Sequence, residues 1–121
     1  MKMILVSALV LLTQNAWSAH VKLNGMIDHN GTKVKLDEIV MHGETLKVEK
    51  DDKIFNITTR KGKADNLHFV DVAVEKKDGN KISAEAKGMI LVKDNLEATM
   101  TKMDETTLDT TIMKVMVEKI D

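Results

Sequence analysis

The chain has 121 residues, with 18 Lys and Arg against 19 Asp and Glu, and a formal net charge of −1. This length predicts one domain, and a balanced charge without basic blocks argues against a nucleic-acid-binding face. The chain has no cysteine, which excludes disulfides, zinc–thiolate sites and cysteine nucleophiles.

The first residues have the layout of a secretory signal peptide. Lys2 provides a positive start, Met3–Leu12 is an apolar stretch, and small residues follow at Ser18 and Ala19. The apolar stretch is shorter than the roughly 20 residues that span a bilayer. The chain is therefore predicted to be exported, and the mature protein is not expected to cross the membrane.

Signal peptidase prefers small side chains at positions −1 and −3, which favours cleavage between Ser18 and Ala19. Cleavage after Ala19 is the alternative, but it would place the bulky Trp17 at −3. A retained N-terminal core helix is the other interpretation. With the preferred cut, residues 1–18 form the signal peptide and residues 19–121 form a single β-domain in the periplasm.

The rest of the chain alternates apolar and polar residues between turn signals, which predicts β-strands. Leu36–Leu46 could also contain a helical turn, and Thr106–Ile120 could form a helix, but strands are favoured in both. The predicted strand segments are Val21–Ile27, Thr32–Leu36, Thr45–Lys50, Ile54–Thr59, Leu67–Lys76, Lys81–Lys87, Met89–Val92, Leu96–Met103 and Thr106–Ile120.

Two turns indicate tight hairpins, because Asn30-Gly31 and Asp78-Gly79 both tolerate positive φ. Around the second turn, the alternation predicts that Val70, Val72 and Val74 share one face with Ile82, Ala84 and Ala86. The fold class predicted is all-β, a single antiparallel β-jellyroll or sandwich of about seven to nine short strands.

Part of the chain resembles a known family. "KADNLHFVDVAVEKKDGNKISAEA" (Lys63–Ala86) and "KISAEAKGMILVKDNLEATMTKM" (Lys81–Met103) resemble the repeating unit of the OstA-like periplasmic β-jellyroll proteins of lipopolysaccharide transport. The resemblance covers about Ala64 to Met103. It departs from the family in lacking the "G-N/H-V" entry to the strand.

The resemblance implies an apolar groove between two sheets that holds acyl chains, such as those of lipopolysaccharide or lipid A. The side chains expected to line that groove are Val70, Val72, Val74, Ile82, Ile90, Leu96 and Met100. The alternative is that the same residues fill a closed core.

Two other functions remain open. The first is a non-enzymatic structural or partner-binding β-domain of the cell envelope, to which a protein adds an edge strand. The second is a periplasmic copper-binding protein, because thioether and imidazole ligands suit copper. In "MTKM" (Met100–Met103) and "MKVM" (Met113–Met116), however, the i,i+3 spacing puts the two sulfurs on opposite faces of a strand.

The copper hypothesis therefore depends on whether any two Met or His side chains converge. No nucleophile motif is present, since Ser83 lies in a strand pattern without a glycine elbow. We expect no enzymatic activity and no cofactor.

Overall fold

The computed structural model describes residues 20–120, so the predicted signal peptide and its cleavage site lie outside the described residues. This part of the chain forms strands and turns without a helix. The strands are β1 (His20–His29), β2 (Thr32–Met41), β3 (Thr45–Lys50), β4 (Lys53–Lys61), β5 (Leu67–Asp78), β6 (Lys81–Lys93), β7 (Ala98–Met103) and β8 (Thr110–Lys119).

The eight strands form two four-stranded antiparallel sheets. Sheet A has the order β2-β1-β8-β7, and sheet B has the order β3-β4-β5-β6. Consecutive strands pair within each sheet, the chain crosses from one sheet to the other at β2–β3 and β6–β7, and the first and last strands, β1 and β8, pair with each other. The predicted all-β fold is confirmed as a sandwich with up-and-down connections.

Both predicted hairpins are present. Asn30 and Gly31 have φ of 52° and 91°, and Gly79 has φ of 65°. Positive φ matches the right-handed twist of the flanking strands and explains why these residue types occupy the turns. The strand interpretation also holds for the ambiguous Leu36–Leu46 segment, because β2 continues to Met41 before a turn leads into β3.

The core lies between the two sheets and is built from alternating positions of the inner strands. Its members pack into one cluster, with part-buried side chains from the edge strands around it. The fully buried apolar side chains of the centre include Leu23, Ile27, Phe55, Ile57, Val70, Val72, Val74, Met113 and Val115. Side chains from both sheets thus fill the space between them.

The prediction that Ile82 and Ala84 share the core face with Val74 is wrong. The register of β5 with β6 shifts between Val74 and Glu75, so that Val74 pairs with Ala86 but Glu75 pairs with Ala84. The extra residue is Glu85. A β-bulge inverts the alternation beyond it, and Ile82 and Ala84 are consequently exposed.

Two seams separate the sheets where edge strands face each other without pairing. At the β2/β3 seam, Lys50 Nζ donates to the carbonyl oxygen of Lys33 at 2.6 Å. At the β6/β7 seam, Lys102 Nζ donates to the carbonyl oxygen of Lys87. These bonds occupy carbonyl oxygens of edge strands, which could otherwise pair with the backbone of another strand. A strand that adds at either seam must therefore displace a lysine.

The connections define two ends of the sandwich. Turns β1–β2, β3–β4, β5–β6 and β7–β8 lie at one end, here called the His29 end. Turns β2–β3, β4–β5 and β6–β7 lie at the other, the His42 end. Among residues 20–120, no helix has the length and apolarity needed to cross a membrane.

Candidate functional site

The structure does not gather the seven predicted groove residues into one open groove. Val70, Val72 and Val74 lie at the centre of the filled core, and Ile90 and Met100 pack against it at the β6/β7 seam. Ile82 and Leu96 are exposed. They also lie at opposite ends of the sandwich, Ile82 beyond the bulge of β6 and Leu96 in the β6–β7 turn.

An open groove of about 560 Å³ lies instead on the outer face of sheet B. We call it the outer groove. The surface is recessed there because small side chains lie next to one another on neighbouring strands. The lining residues are Thr45, Asn56, Thr58, Asp71, Val72, Ala73, Lys87, Gly88, Met89 and Lys102.

Arg60 forms an ion pair with Asp71 at one border of the outer groove. Its guanidinium makes a two-point contact with Asp71, with Nε–Oδ2 at 2.6 Å and Nη2–Oδ1 at 3.1 Å. It also lies 4.7 Å above the centre of the Phe69 ring, a cation–π geometry. The hydrogen bond to Asp71 raises the pKa of Arg60. The charge of Arg60 is therefore balanced by Asp71 within the border itself.

The outer groove adjoins a second cleft of about 500 Å³ at the β6/β7 seam. We call it the seam cleft. The two share Ala73, Lys87 and Lys102 in their linings. Within residues 20–120, neither lysine belongs to an ion pair. The outer groove thus ends at two ammonium groups that an anion could approach.

The seam cleft is more polar than the outer groove and contains carboxylates of both sheets. Its acidic lining side chains are Glu75, Glu85, Asp104 and Asp109. Backbone N–H groups of Thr107 and Thr106 lower the pKa of Asp104, and the side-chain amide of Asn30 lowers that of Asp109. Both groups are therefore ionised at neutral pH. Asp104 is bound within its own loop, and Asp109 is bound to the β1–β2 turn.

A chain of hydrogen bonds closes the core beside the seam cleft. His29 Nε2 lies 2.9 Å from Glu85 Oε1, and His29 Nδ1 lies 2.7 Å from Thr111 Oγ1. Lys53 also donates to Glu85 Oε1. Because a carboxylate only accepts, His29 Nε2 donates to Glu85, and the Thr111 hydroxyl, which can donate or accept, is the partner of Nδ1.

The order hydroxyl, imidazole, carboxylate matches that of a hydrolase triad. Here, however, Thr111 is only 7% exposed and His29 is fully buried. Burial raises the pKa of Glu85, but the hydrogen bonds from Lys53 and His29 outweigh it and keep the pKa below its usual value. Because these groups are buried and contact one another, a structural role is favoured. In that role the hydrogen bonds among Thr111, His29 and Glu85 satisfy buried polar atoms at the His29 end.

A second polar chain closes the core at the His42 end. His68 Nε2 lies 2.8 Å from Asp94 Oδ1, and His68 Nδ1 lies 3.2 Å from His42 Nε2. His42 Nδ1 lies 3.2 Å from Thr59 Oγ1. Burial and the neighbouring His68 lower the pKa of His42. The two imidazoles therefore meet directly, each with a further partner behind it.

The sequence does not predict this pair. Within the sequence, His42 is next to Met41, and adjacent residues of a strand face opposite ways. His68 is 26 positions away, in β5, and only the pairing of strands brings it to His42. The methionine pairs behave as their spacing predicts, since Met100 packs against the core while Met103 is exposed.

Comparisons of the chain with protein families, with curated proteins and with solved structures found no match.

Proposed function

We propose that this chain is an exported, periplasmic β-domain that binds an anionic acyl-chain ligand, such as the lipid A part of lipopolysaccharide. The ligand lies in the outer groove of sheet B, and no part of it enters the space between the sheets. The observation that carries the proposal is the continuity between the outer groove and the two lysines, Lys87 and Lys102, at its end.

The groove suits an acyl chain in size and lining. Its volume of about 560 Å³ falls within the usual range for small-molecule sites. Ala73, Gly88 and the Met89 side chain offer apolar contact without a large side chain obstructing the groove. Each methylene that leaves water there contributes about 0.8 kcal/mol.

The lysines suit the head of such a ligand. Phosphate or carboxylate oxygens accept hydrogen bonds from ammonium groups, and charge-assisted bonds are the stronger kind. Lys102 already donates to the Lys87 carbonyl oxygen, which uses one of its three N–H groups and holds the ammonium near the groove. Asp71 is engaged by Arg60 and so repels an anionic head less than a free carboxylate would.

Titration of a fluorescent fatty acid into the purified protein tests the proposal. Ala73→Phe fills the groove floor, and Lys87→Glu reverses the charge at its end. We expect each to raise the probe Kd at least tenfold. The matched controls, Asn24→Phe and Lys114→Glu on the outer face of sheet A, should leave the Kd unchanged, with circular dichroism confirming that all four variants fold.

A neutral monoacylglycerol probe separates the two contributions. It should bind more weakly than the fatty acid to the wild type and should be insensitive to Lys87→Glu. A wild type that ignores both probes, or controls that weaken binding as much as the groove variants, would overturn the proposal and favour the partner-binding β-domain instead.

A further inference from the structure

We propose that His42 and His68 together bind one divalent transition-metal ion, of the kind that prefers imidazole ligands, at the end of the sandwich opposite His29. The ligating atoms are His42 Nε2 and His68 Nδ1. This site is separate from the outer groove and does not depend on the lipid proposal.

The distance between the two nitrogens fits a shared metal ion. Zinc binds imidazole nitrogen at about 2.0–2.1 Å with tetrahedral geometry, which puts two ligating nitrogens about 3.3 Å apart. The observed separation of His42 Nε2 and His68 Nδ1 is 3.2 Å. The ring centroids lie 5.1 Å apart with 28° between the ring planes, so both rings must turn from the hydrogen-bonded geometry before their lone pairs meet at one ion.

The groups behind the two rings fit the same role. Metal-binding histidines usually donate their other N–H to a carboxylate or another oxygen, which sets the tautomer and the ring orientation. Asp94 Oδ1 lies 2.8 Å from His68 Nε2, and Thr59 Oγ1 lies 3.2 Å from His42 Nδ1. Each imidazole is therefore held so that its remaining nitrogen faces the other ring.

The proton balance is simple. Without metal, Asp94 accepts from His68 Nε2–H, and His68 Nδ1 accepts from His42 Nε2–H. When metal binds, the His42 proton moves from Nε2 to Nδ1, where it donates to Thr59, and both rings stay neutral.

The local charges and the ligand count set the strength of the site. Lys61 adds positive charge near His42 and opposes a cation, whereas the carboxylate of Asp94 favours it. Within residues 20–120, no group of three or more His, Asp or Glu side chains surrounds one point. The two imidazoles therefore leave the other coordination positions to solvent, and His42, which is only half-buried, provides the access.

Isothermal titration calorimetry of the untagged protein with Zn²⁺ at pH 7.5 tests this inference. We expect one ion per chain. His42→Gln should weaken binding at least tenfold, and Asp94→Asn should weaken it about tenfold through the orientation of His68. His20→Gln, a histidine at the same end in β1, is the matched control and should not change the Kd.

Nuclear magnetic resonance of the imidazole nitrogens gives a readout that a purely structural role would not move. Zn²⁺ should shift His42 Nε2 and His68 Nδ1 and leave His29 unchanged. If the wild-type protein does not bind Zn²⁺ at millimolar concentration, or if His42→Gln binds it equally well, the inference is overturned. The two histidines would then form only a hydrogen bond.

Discussion

Glu85 Oε1 lies 2.9 Å from Nε2 of the buried His29, and this contact joins β6 of sheet B to β1 of sheet A. Glu85 reaches the interior because it is the extra residue of the bulge. In a regular strand the same carboxylate would point to solvent. One irregularity in the register therefore supplies the acceptor that a buried histidine and Lys53 both use.

Removal of that acceptor should destabilise the domain. In Glu85→Ala, His29 Nε2–H and the Lys53 ammonium lose their partner, which we expect to cost about 1–3 kcal/mol. The folded pKa of Glu85 is lowered, so its contribution is present above the unfolded pKa of 4.5 and is lost as pH falls through the folded value. Urea unfolding at pH 7 and pH 3 should show a smaller difference between variant and wild type at pH 3 than at pH 7. Glu118→Ala, an exposed glutamate of β8, should have no comparable effect.

Stability should also fall near the pKa of histidine. Burial, followed by the neighbouring His68, lowers the folded pKa of His42 below its usual value of 6.5. The unfolded chain then takes up the proton first, so the stabilisation is complete above about pH 6.5 and is lost as pH falls through the folded pKa. Urea midpoints between pH 8 and pH 5 should decline less in His42→Gln than in the wild type. The same slope in both would show that His42 does not contribute.

Gly25 should be the least replaceable glycine. It pairs with Val115 where β1 meets β8, and a Cβ there would lie 2.0 Å from the Lys114 carbonyl oxygen. Gly25→Ala must push these strands apart, and we expect a loss of about 2 kcal/mol or more. Gly79→Ala is the control, because a Cβ there meets no atom and only the positive φ costs about 1 kcal/mol. Thermal unfolding of both variants gives the comparison, and equal losses would contradict it.

Val72→Glu separates a filled core from an open inter-sheet groove. Val72 is 2% exposed, so the new carboxylate would be buried without a partner at a cost of several kcal/mol. That is a large part of the stability of a small domain, and we expect a largely unfolded circular dichroism spectrum. Leu91→Glu, at a position 51% exposed on the outer face, should remain folded. A folded Val72→Glu protein would mean that the space between the sheets reaches water.

The export prediction is tested at the N-terminus. If Ser18 and Ala19 flank the cleavage site, intact mass measurement of the protein from the periplasm should give a chain that begins at Ala19. Ser18→Trp should block processing there, because signal peptidase needs a small residue at −1. A periplasmic protein that still begins at Met1 would contradict the prediction.

The strands and their turns could be predicted from the sequence because the signals are local. Alternation of apolar and polar residues marks strands wherever one face is buried. Asn30-Gly31 and Gly79 mark hairpins by their tolerance of positive φ. The residues of β3 match the predicted segment, Thr45–Lys50, at both ends. These features depend only on residues close together in the chain, and together they determined the fold class.

The tertiary structure alone decided which face each residue of β6 presents and which polar groups meet. The bulge at Glu85 exposes Ile82, because a shift of one residue turns the side chains between the bulge and the β5–β6 turn to the opposite face. No local pattern in the sequence indicates that shift. His42 and His68 meet only because β2 ends and β5 begins at the same end of the sandwich. The packing of one sheet on the other also filled the space in which an open groove was expected. Such contacts join residues far apart in sequence, so they follow from the pairing of strands and the packing of sheets and have no signature in any single segment.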